Sequence, residues 1–340
     1  MLSVAALFAG CGEESGGPEY PVTIGGVTID KEPQNVVVLN DDLADIISYI
    51  GYDIKMVGRS TECDQDFLHV VPEVGSAASP DLNAISNAAA DLVIADSTLN
   101  ANTKQSLESA GIKVLTMNPP TGEEELLNTY IDLGKALGGN VTGAGKGEKG
   151  YNDLFNMLDT LNTATSSVVQ TAAYLYLDGS GQLCTFVKGS LEYKIFSFNG
   201  CTNVFLNQAE PVVKTEELRV GSPKYIFFDN PAVLDVVKTD PSLAKVDAMV
   251  NGHALMIPLK QFRRHGSTAE QTVFDMLNYI EKISKATADE ATVAPTQAPT
   301  TAPKAAVTEA PAEEETAEEA VTDAEVQTDA AVSADGEVQY

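Results

Sequence analysis

The sequence predicts an α/β fold with mostly parallel sheets flanked by helices, and three observations support this. Short, apolar, β-rich runs such as Leu92–Ala95 are typical of buried parallel strands. Helical periodicity lies between these runs, so strands and helices alternate in the order that crossover connections require. The length of 340 residues is sufficient for two domains, each with its own core.

The first predicted lobe covers residues 33–140. Asp41 and Asp42 follow its first strand, and we expect these carboxylates to cap the next helix, because they can accept its free N–H groups. A second helix spans about 102–110 and ends at Gly111, a residue that commonly terminates helices. The predicted strands of this lobe are 33–40, 57–58, 92–95 and 112–116.

The second predicted lobe covers residues 167–287 and follows a helix at 141–166. Apolar residues recur at helical spacing from Tyr151 to Leu161. Glycines crowd the start of this helix, and each costs about 1 kcal/mol relative to alanine, so we expect its first turns to fray. The strands predicted in this lobe are 172–177, 225–228 and 254–258, and a final helix begins near residue 268.

Composition restricts the function. The formal net charge is −28, and nucleic-acid binding needs a basic surface, so such a partner is not expected. Residues 288–340 are rich in Ala, Thr, Glu and Pro and have few large apolar side chains to bury, so we expect a disordered acidic tail. No run approaches the ~18 apolar residues of a membrane-spanning helix.

The N-terminus resembles a bacterial lipobox. Residues 1–11 are apolar and end in Ala9-Gly10-Cys11, as in a shortened signal peptide whose cysteine becomes the lipid-bearing first residue. A lipid on Cys11 would hold the protein at the outer face of the bacterial cytoplasmic membrane. Residues 12–32 are interpreted as a tether followed by the first strand region.

Several sequence motifs occur in the order found in one family of transport proteins. They are 59–64, 72–95, Leu133-Gly-Lys-Ala-Leu-Gly-Gly139, 200–205 and 215–228. Together they resemble the iron-siderophore and cobalamin class of substrate-binding proteins of ABC importers, over roughly residues 33–285. The resemblance implies two α/β lobes joined by a single long α-helix, a ligand cleft between them, no enzymatic activity, and an ABC permease and its ATPase as partners. It also implies that Glu216 is a surface acid that docks to the permease.

Polar residues in loops after the predicted strands are the candidate ligand-binding residues, because ligands of open α/β lobes meet the carboxyl ends of the strands. Arginine can grip carboxylate, phosphate or catecholate oxygens at two points, so the arginines carry most weight. The predicted ligand-binding residues are Asn40, Asp41, Arg59, Thr61, Glu62, Cys63, Ser97, Lys188, Asn230, Gln261, Phe262, Arg263 and Arg264. Thr98, Asp229 and His265 lie in the same loops.

A ferric siderophore is the expected ligand, and cobalamin and haem are the alternative ligands. The alternative function is a non-transport role as a surface lipoprotein. The absence of tryptophan weighs against a cobalamin-covering aromatic surface. With only His69, His253 and His265, a bare metal site is not expected. Cys184 and Cys201 belong to the same lobe, but the sequence does not establish whether they pair.

Overall fold

The computed structural model describes residues 17–163 and 170–292, with side chains up to residue 286. These residues belong to one compact unit that ends at Val293. The lipobox with Cys11 and the predicted disordered tail therefore lie outside the described residues, apart from the end of the last helix. Within the described ranges, no helix is both long enough and apolar enough to cross a membrane.

The first lobe is a four-stranded parallel sheet with helices on its faces. In chain order it contains β1 (Val22–Ile24), β2 (Val27–Ile29), β3 (Val36–Val38), α1 (Asp41–Tyr49), β4 (Met56–Arg59), α2 (Leu82–Asn87), β5 (Leu92–Ala95), α3 (Ala101–Ser109) and β6 (Lys113–Thr116). β1 and β2 form a separate antiparallel hairpin. The main sheet has the order β4-β3-β5-β6, in which Val37 lies opposite Val93.

α4 (Glu123–Gly138) packs on the first lobe, and the long helix α5 (Ala144–Thr163) connects the two lobes. A π-helical turn at Gly139–Gly143 lies between α4 and α5. The expected fraying of the first turns is wrong, because the glycines allow α4 and α5 to cross in backbone contact. A Cβ on Gly147 would lie 2.2 Å from the carbonyl oxygen of Tyr130. A Cβ on Gly143 would lie 2.1 Å from the carbonyl oxygen of Gly134.

The second lobe has a five-stranded sheet that is parallel except at one edge. Its elements are β7 (Thr171–Leu177), β8 (Leu183–Cys184), α6 (Leu191–Phe196), β9 (Thr202–Asn203), α7 (Thr215–Gly221), β10 (Tyr225–Phe228), α8 (Pro231–Thr239), α9 (Asp247–Asn251), β11 (Ala254–Met256) and α10 (Ser267–Thr292). The sheet order is β11-β10-β7-β8, β9 also pairs with β7, and β8 is antiparallel. The predicted fold class is confirmed, and α10 continues past residue 287.

The apolar strands of the first lobe are buried on both faces of the sheet. Val36 and Val38 belong to the core shared with α1, α4, α5 and the second lobe, whereas Val37 belongs to a separate core beneath α2 and α3. Alternate residues of a strand point to opposite faces, so an uninterrupted valine run fills both cores. The core that contains Val36 also includes Tyr174 and Phe227, and it therefore joins the two lobes.

The cap of α1 also differs from the prediction. The Asn40 side chain is the N-cap and accepts a hydrogen bond from the backbone N–H of Leu43, at 3.0 Å. Asp41 and Asp42 instead occupy the first turn, where a negative charge favours the helix dipole. The three described cysteines, Cys63, Cys184 and Cys201, are free thiols, so the structure contains no Cys184–Cys201 bridge.

Candidate interlobe binding site

Loops at the carboxyl ends of the strands of both lobes form the candidate site. The loop after β11 crosses to the first lobe, where Lys260 and Arg264 contact Asp64 in the loop after β4. This contact brings the two loop edges together, which is the arrangement that ligands of open α/β lobes use. Within the described ranges, no cluster of three or more His, Cys, Asp or Glu residues is suited to hold a metal ion.

Arg264 is a buried bridge between the lobes. Its side chain is 5% exposed, and its Nε atom donates to a carboxylate oxygen of Asp41 at 2.9 Å. Its Nη2 atom donates to the backbone carbonyl of Glu62 at 3.2 Å and to the carboxylate of Asp64. Burial raises the pKa of Asp64, but hydrogen bonds from Lys260 and Arg264 outweigh this and hold the pKa below its usual value. Arg264 therefore has protein partners already.

A buried acidic seam fixes the start of α10 to α1. Both carboxylate oxygens of Asp42 lie 3.0 Å from the His265 ring nitrogen Nδ1, and the Asp42 carboxylate also accepts the backbone N–H of His265 at 2.8 Å. Asp45 accepts hydrogen bonds from the backbone N–H of Gly266 at 2.7 Å and from the hydroxyl of Thr268 at 2.8 Å. His265 is 3% exposed, so it is part of this seam and does not reach the cleft.

The free energy of unfolding should fall as the pH rises above about 6.5, because His265 then loses its stabilising charge. Burial lowers the pKa of His265, but the Asp42 carboxylate outweighs this and raises the pKa above its ordinary value of 6.5. The resulting stabilisation is complete below pH 6.5 and is lost as the pH rises through the folded-state pKa. Urea titrations at several pH values measure this slope.

Two histidine variants separate this effect from general titration. His265→Gln should flatten the slope, because glutamine does not titrate. His69→Gln is the matched control, since the His69 side chain is 58% exposed, and it should keep the slope of the parent protein. An unchanged slope in His265→Gln would show that other groups cause it.

Arg59 and Cys63 organise the first-lobe loop from within. The Arg59 guanidinium donates to the backbone carbonyls of Val71 at 3.0 Å and Cys63 at 2.9 Å, and it pairs with Glu73 at 3.0 Å. Arg59 is 5% exposed and Cys63 is fully buried. Burial raises the pKa of the Cys63 thiol to about 11, so it is protonated at neutral pH. The structure places both residues inside the loop and away from the cleft surface.

An aromatic cluster underlies the second-lobe side of the site. The rings of Tyr174 and Phe186 stack with centroids 4.3 Å apart and an interplanar angle of 9°. Phe262 packs edge-on against Tyr174 and is fully buried, so the structure gives it a packing role in place of the predicted ligand-binding role. Tyr176 is half-buried at the end of β7 and lies 6.3 Å from Phe186 between ring centroids.

Arg263 is the accessible arginine of this side. Its side chain is 58% exposed, and its Nε atom lies 3.2 Å from a carboxylate oxygen of Glu192. Among the described residues, its two terminal nitrogens have no partner. Burial raises the pKa of Tyr176, and the charge of Arg263 acts in the opposite direction. Arg263 can therefore offer its guanidinium fork to an anionic ligand.

The other first-lobe candidates lie in loops or at the start of α1 and make local polar contacts. Asn40 donates to Asp96 at 2.7 Å, and this carboxylate also accepts the hydroxyl of Thr98 at 2.6 Å. The Glu62 carboxylate accepts the backbone N–H of Ala77 at 3.0 Å. The remaining candidates are Asp41, which is half-buried beside Arg264, and Thr61 and Ser97, which are both exposed.

The remaining second-lobe candidates have more local roles. Lys188 is exposed, and its nearest partner is the Asn207 side chain at 3.3 Å. Asn230 caps α8 by accepting the backbone N–H of Ala232 at 3.0 Å, and its side chain also donates to Asp229 at 2.8 Å. Gln261 is half-buried and lines a cavity between the two loops.

That cavity has a volume of about 420 Å³ and lies beside the Arg264 bridge. Residues of both loops line it, including Asp64, Gln65, Phe67, Lys260, Gln261 and Arg264. Gln65 is 5% exposed, and its Nε2 atom donates to the backbone carbonyl of Asp41 at 2.7 Å. This bond fixes the amide orientation and leaves the buried Oε1 atom without a hydrogen-bond partner.

Sequence reasoning does not select Tyr176 and Lys260 as site residues. Tyr176 follows Tyr174 by two positions at the end of β7, and this spacing places both rings on the same face of the strand. That alternation is a signal by which Tyr176 can be found. Lys260 carries no comparable pattern, because only the folded loop brings it to Asp64.

Glu216 is exposed at the start of α7 and pairs with Arg219 through an Nε–Oε2 distance of 2.8 Å. The hydrogen bond from Arg219 lowers the pKa of Glu216. The Glu216 carboxylate is accessible to a partner but would have to share or leave Arg219.

Comparison with known proteins identifies related sequences. The Fe(3+)-citrate-binding protein YfmC of Bacillus subtilis (strain 168) is 23% identical over 242 residues, covering 67% of this chain and 74% of the relative. An uncharacterized ABC transporter substrate-binding lipoprotein of the same organism, YvrC, is 29% identical over 157 residues, covering 41% of this chain and 49% of the relative.

A solved structure shares the fold. It is a possible iron-binding (periplasmic solute-binding) protein from Staphylococcus epidermidis ATCC 12228, with a TM-score of 0.59 and 15% identity, covering 74% of this chain and 99% of that protein. The family model for periplasmic binding proteins matches residues 36–259, which span both lobes and the helices between them. The chain therefore belongs to the periplasmic binding protein family, which confirms its resemblance to the iron-siderophore and cobalamin class of ABC-transporter substrate-binding proteins.

Proposed function

We propose that the protein captures a ferric siderophore between its lobes and delivers it to an ABC permease and its ATPase. The observation that carries this proposal is Arg263, an exposed arginine in the loop after β11 whose two terminal nitrogens have no hydrogen-bond partner among the described residues. An open guanidinium fork suits a bulky chelate with anionic oxygens on its outside. The name of the relative YfmC, an iron-citrate-binding protein, agrees with an anionic ferric ligand.

Haem competes with a ferric chelate for the proposed site, and Tyr176 is a half-buried tyrosine on its second-lobe side. Haem iron needs an axial ligand such as His, Tyr or Met. His265 is buried against Asp42, so it does not supply one in this structure. Cobalamin binding and a non-transport role as a surface lipoprotein also compete with the proposal, and a ligand panel tests them together.

Arg263→Ala should weaken binding of the cognate chelate about 10- to 100-fold, because it removes a charged donor. The melting temperature should stay unchanged, since the Arg263 side chain is 58% exposed. Quenching of tyrosine fluorescence can follow binding in the full chain, which contains 11 tyrosines and no tryptophan. The panel contains a ferric hydroxamate, a ferric catecholate, ferric citrate, haem and cobalamin.

Arg219→Ala is the matched control, because Arg219 also pairs with a surface glutamate but lies on α7. It should bind like the parent protein. If Arg263→Ala binds the cognate ligand as tightly as the parent, Arg263 is not a ligand contact. If no member of the panel binds the parent protein, the transport proposal fails and a role as a surface lipoprotein is favoured.

The proposal includes a lipid on Cys11 that holds the protein at the outer face of the cytoplasmic membrane. It is supported by the lipobox-like sequence and by the relative YvrC, whose name describes a lipoprotein. Partition of the full chain between membrane and soluble fractions, compared with Cys11→Ser, measures whether this anchor exists. Glu216 is the proposed permease-docking acid, because it is charged and exposed. ATP hydrolysis by the permease and its ATPase, measured with the parent protein and with Glu216→Gln, tests this role.

A further inference from the structure

We infer that Asp64 is an internal counter-ion that an anionic ligand must displace, so that it controls how strongly the site prefers anionic ferric chelates to neutral ones. This inference rests on the proposed function and adds a selectivity mechanism to the same site. Asp64 pairs with Lys260 and Arg264, at the positions that ligand oxygens would take in the proposed complex.

The contacts of Asp64 are divided between two cations. One of its carboxylate oxygens pairs with the Lys260 ammonium, and the other accepts a hydrogen bond from Nη2 of Arg264. Both cations belong to the loop after β11, whereas Asp64 belongs to the loop after β4. The pairing therefore crosses the two lobes at the edge of the proposed cleft.

Charge balance shows why displacement matters. Lys260 and Arg264 contribute two positive charges, and Asp41 and Asp64 contribute two negative charges, so this group is neutral overall. A ligand carboxylate meets free positive charge only when Asp64 moves away. While Asp64 stays in place, its carboxylate and the ligand carboxylate repel each other. Repulsion between like charges is a known source of selectivity.

The burial pattern permits this exchange. The Asp64 side chain is 44% exposed, so it can turn toward water at low cost. Arg264 is 5% exposed and keeps its bonds to Asp41 and to the backbone of Glu62 when Asp64 leaves. The guanidinium therefore stays in place for the incoming oxygens, and fixed donors of this kind favour binding.

The neighbouring cavity offers room for the ligand beside the two cations. Its volume is about 420 Å³, and its wall includes Asp64, Lys260 and Arg264. The class of ligand that fits carries carboxylate oxygens for these two cations.

Asp64→Asn tests this inference, because it removes the counter-ion and nearly preserves the shape of the side chain. In the full chain, we expect it to tighten binding of ferric citrate about tenfold. Binding of a neutral ferric trihydroxamate should stay within about twofold of the parent protein. The matched control is Asp153→Asn, which removes the acid of an exposed Lys–Asp pair on α5 and changes the net charge equally.

The outcomes distinguish failure of the role inferred for Asp64 from failure of the proposed function. Ferric citrate affinity that is unchanged or weakened in Asp64→Asn, in a protein that still binds chelates, overturns the role of Asp64 alone. Equal gains in Asp153→Asn and Asp64→Asn would assign the effect to net charge and would also overturn it. A parent protein that binds no ferric chelate would overturn the proposed function, and the inference with it. Thermal melting of each variant confirms that the fold is intact.

Discussion

Gly147→Ala should lower the free energy of unfolding by about 3 kcal/mol, although alanine is the better helix former at an isolated position. The new Cβ would lie 2.2 Å from the carbonyl oxygen of Tyr130 and 2.7 Å from its carbonyl carbon. Both atoms belong to the backbone of α4, so no side-chain rotation relieves the clash. α4 and α5 would have to separate, and the core that joins the lobes would loosen with them.

Gly145→Ala is a sharp control for this prediction. Gly145 lies in the same helix two positions earlier, and a Cβ there would meet no atom within 4 Å. The substitution should raise the free energy of unfolding by about 0.5–1 kcal/mol, because alanine loses less backbone entropy than glycine. Urea titration followed by circular dichroism measures both variants. Equal effects of the two substitutions would contradict close backbone packing of α4 against α5.

Asp45→Ala should destabilise the protein by about 3–5 kcal/mol. Asp45 lies on α1 but acts as a cap for α10, because its carboxylate accepts the backbone N–H groups of Gly266 and Thr268. Helix N-termini have unpaired N–H groups, and a carboxylate satisfies them and favours the helix dipole. Without it, these donors and the Thr268 hydroxyl would be left unpaired in a buried place.

Burial makes this cap costly to keep charged. It raises the pKa of Asp45 to about 6, against the hydrogen bonds from Thr268 and Gly266. Asp45→Asn keeps an acceptor oxygen and should therefore cost less than Asp45→Ala. Asp275→Ala is the control for loss of an exposed carboxylate on α10, and it should change stability by less than about 0.5 kcal/mol. If Asp45→Ala matched Asp275→Ala, the remote cap would contribute no stability.

The adjacent arginines of the loop after β11 illustrate the limit of sequence reasoning at the site. Arg263 and Arg264 are equivalent in the sequence, which predicts ligand binding for both. The fold directs Arg264 into a bridge with Asp41, 223 residues away, and leaves Arg263 exposed with Glu192 as its partner. Electrostatic partners so far apart in the chain leave no local pattern, so only the folded loop distinguishes the two roles.

The order of strands and helices was determined by the sequence alone, because apolar periodicity and turn residues act over a few positions. Runs such as Leu92–Ala95 are short and apolar on every residue, and this pattern specifies a parallel strand buried on both faces. The family resemblance can also be identified from the sequence, since each of its motifs is a short continuous segment. Those features correctly predict two α/β lobes.

Only the tertiary structure decided what the glycines and charges do. In the sequence, the glycines near residue 145 indicate a weak helix, because their entropy cost is visible there but the helix that packs against them is not. Gly143 and Gly147 are in fact positions where the backbone of α4 comes very close. Close packing and charge pairing depend on which segments meet in space, and this is a property of the whole fold that no short stretch of sequence contains.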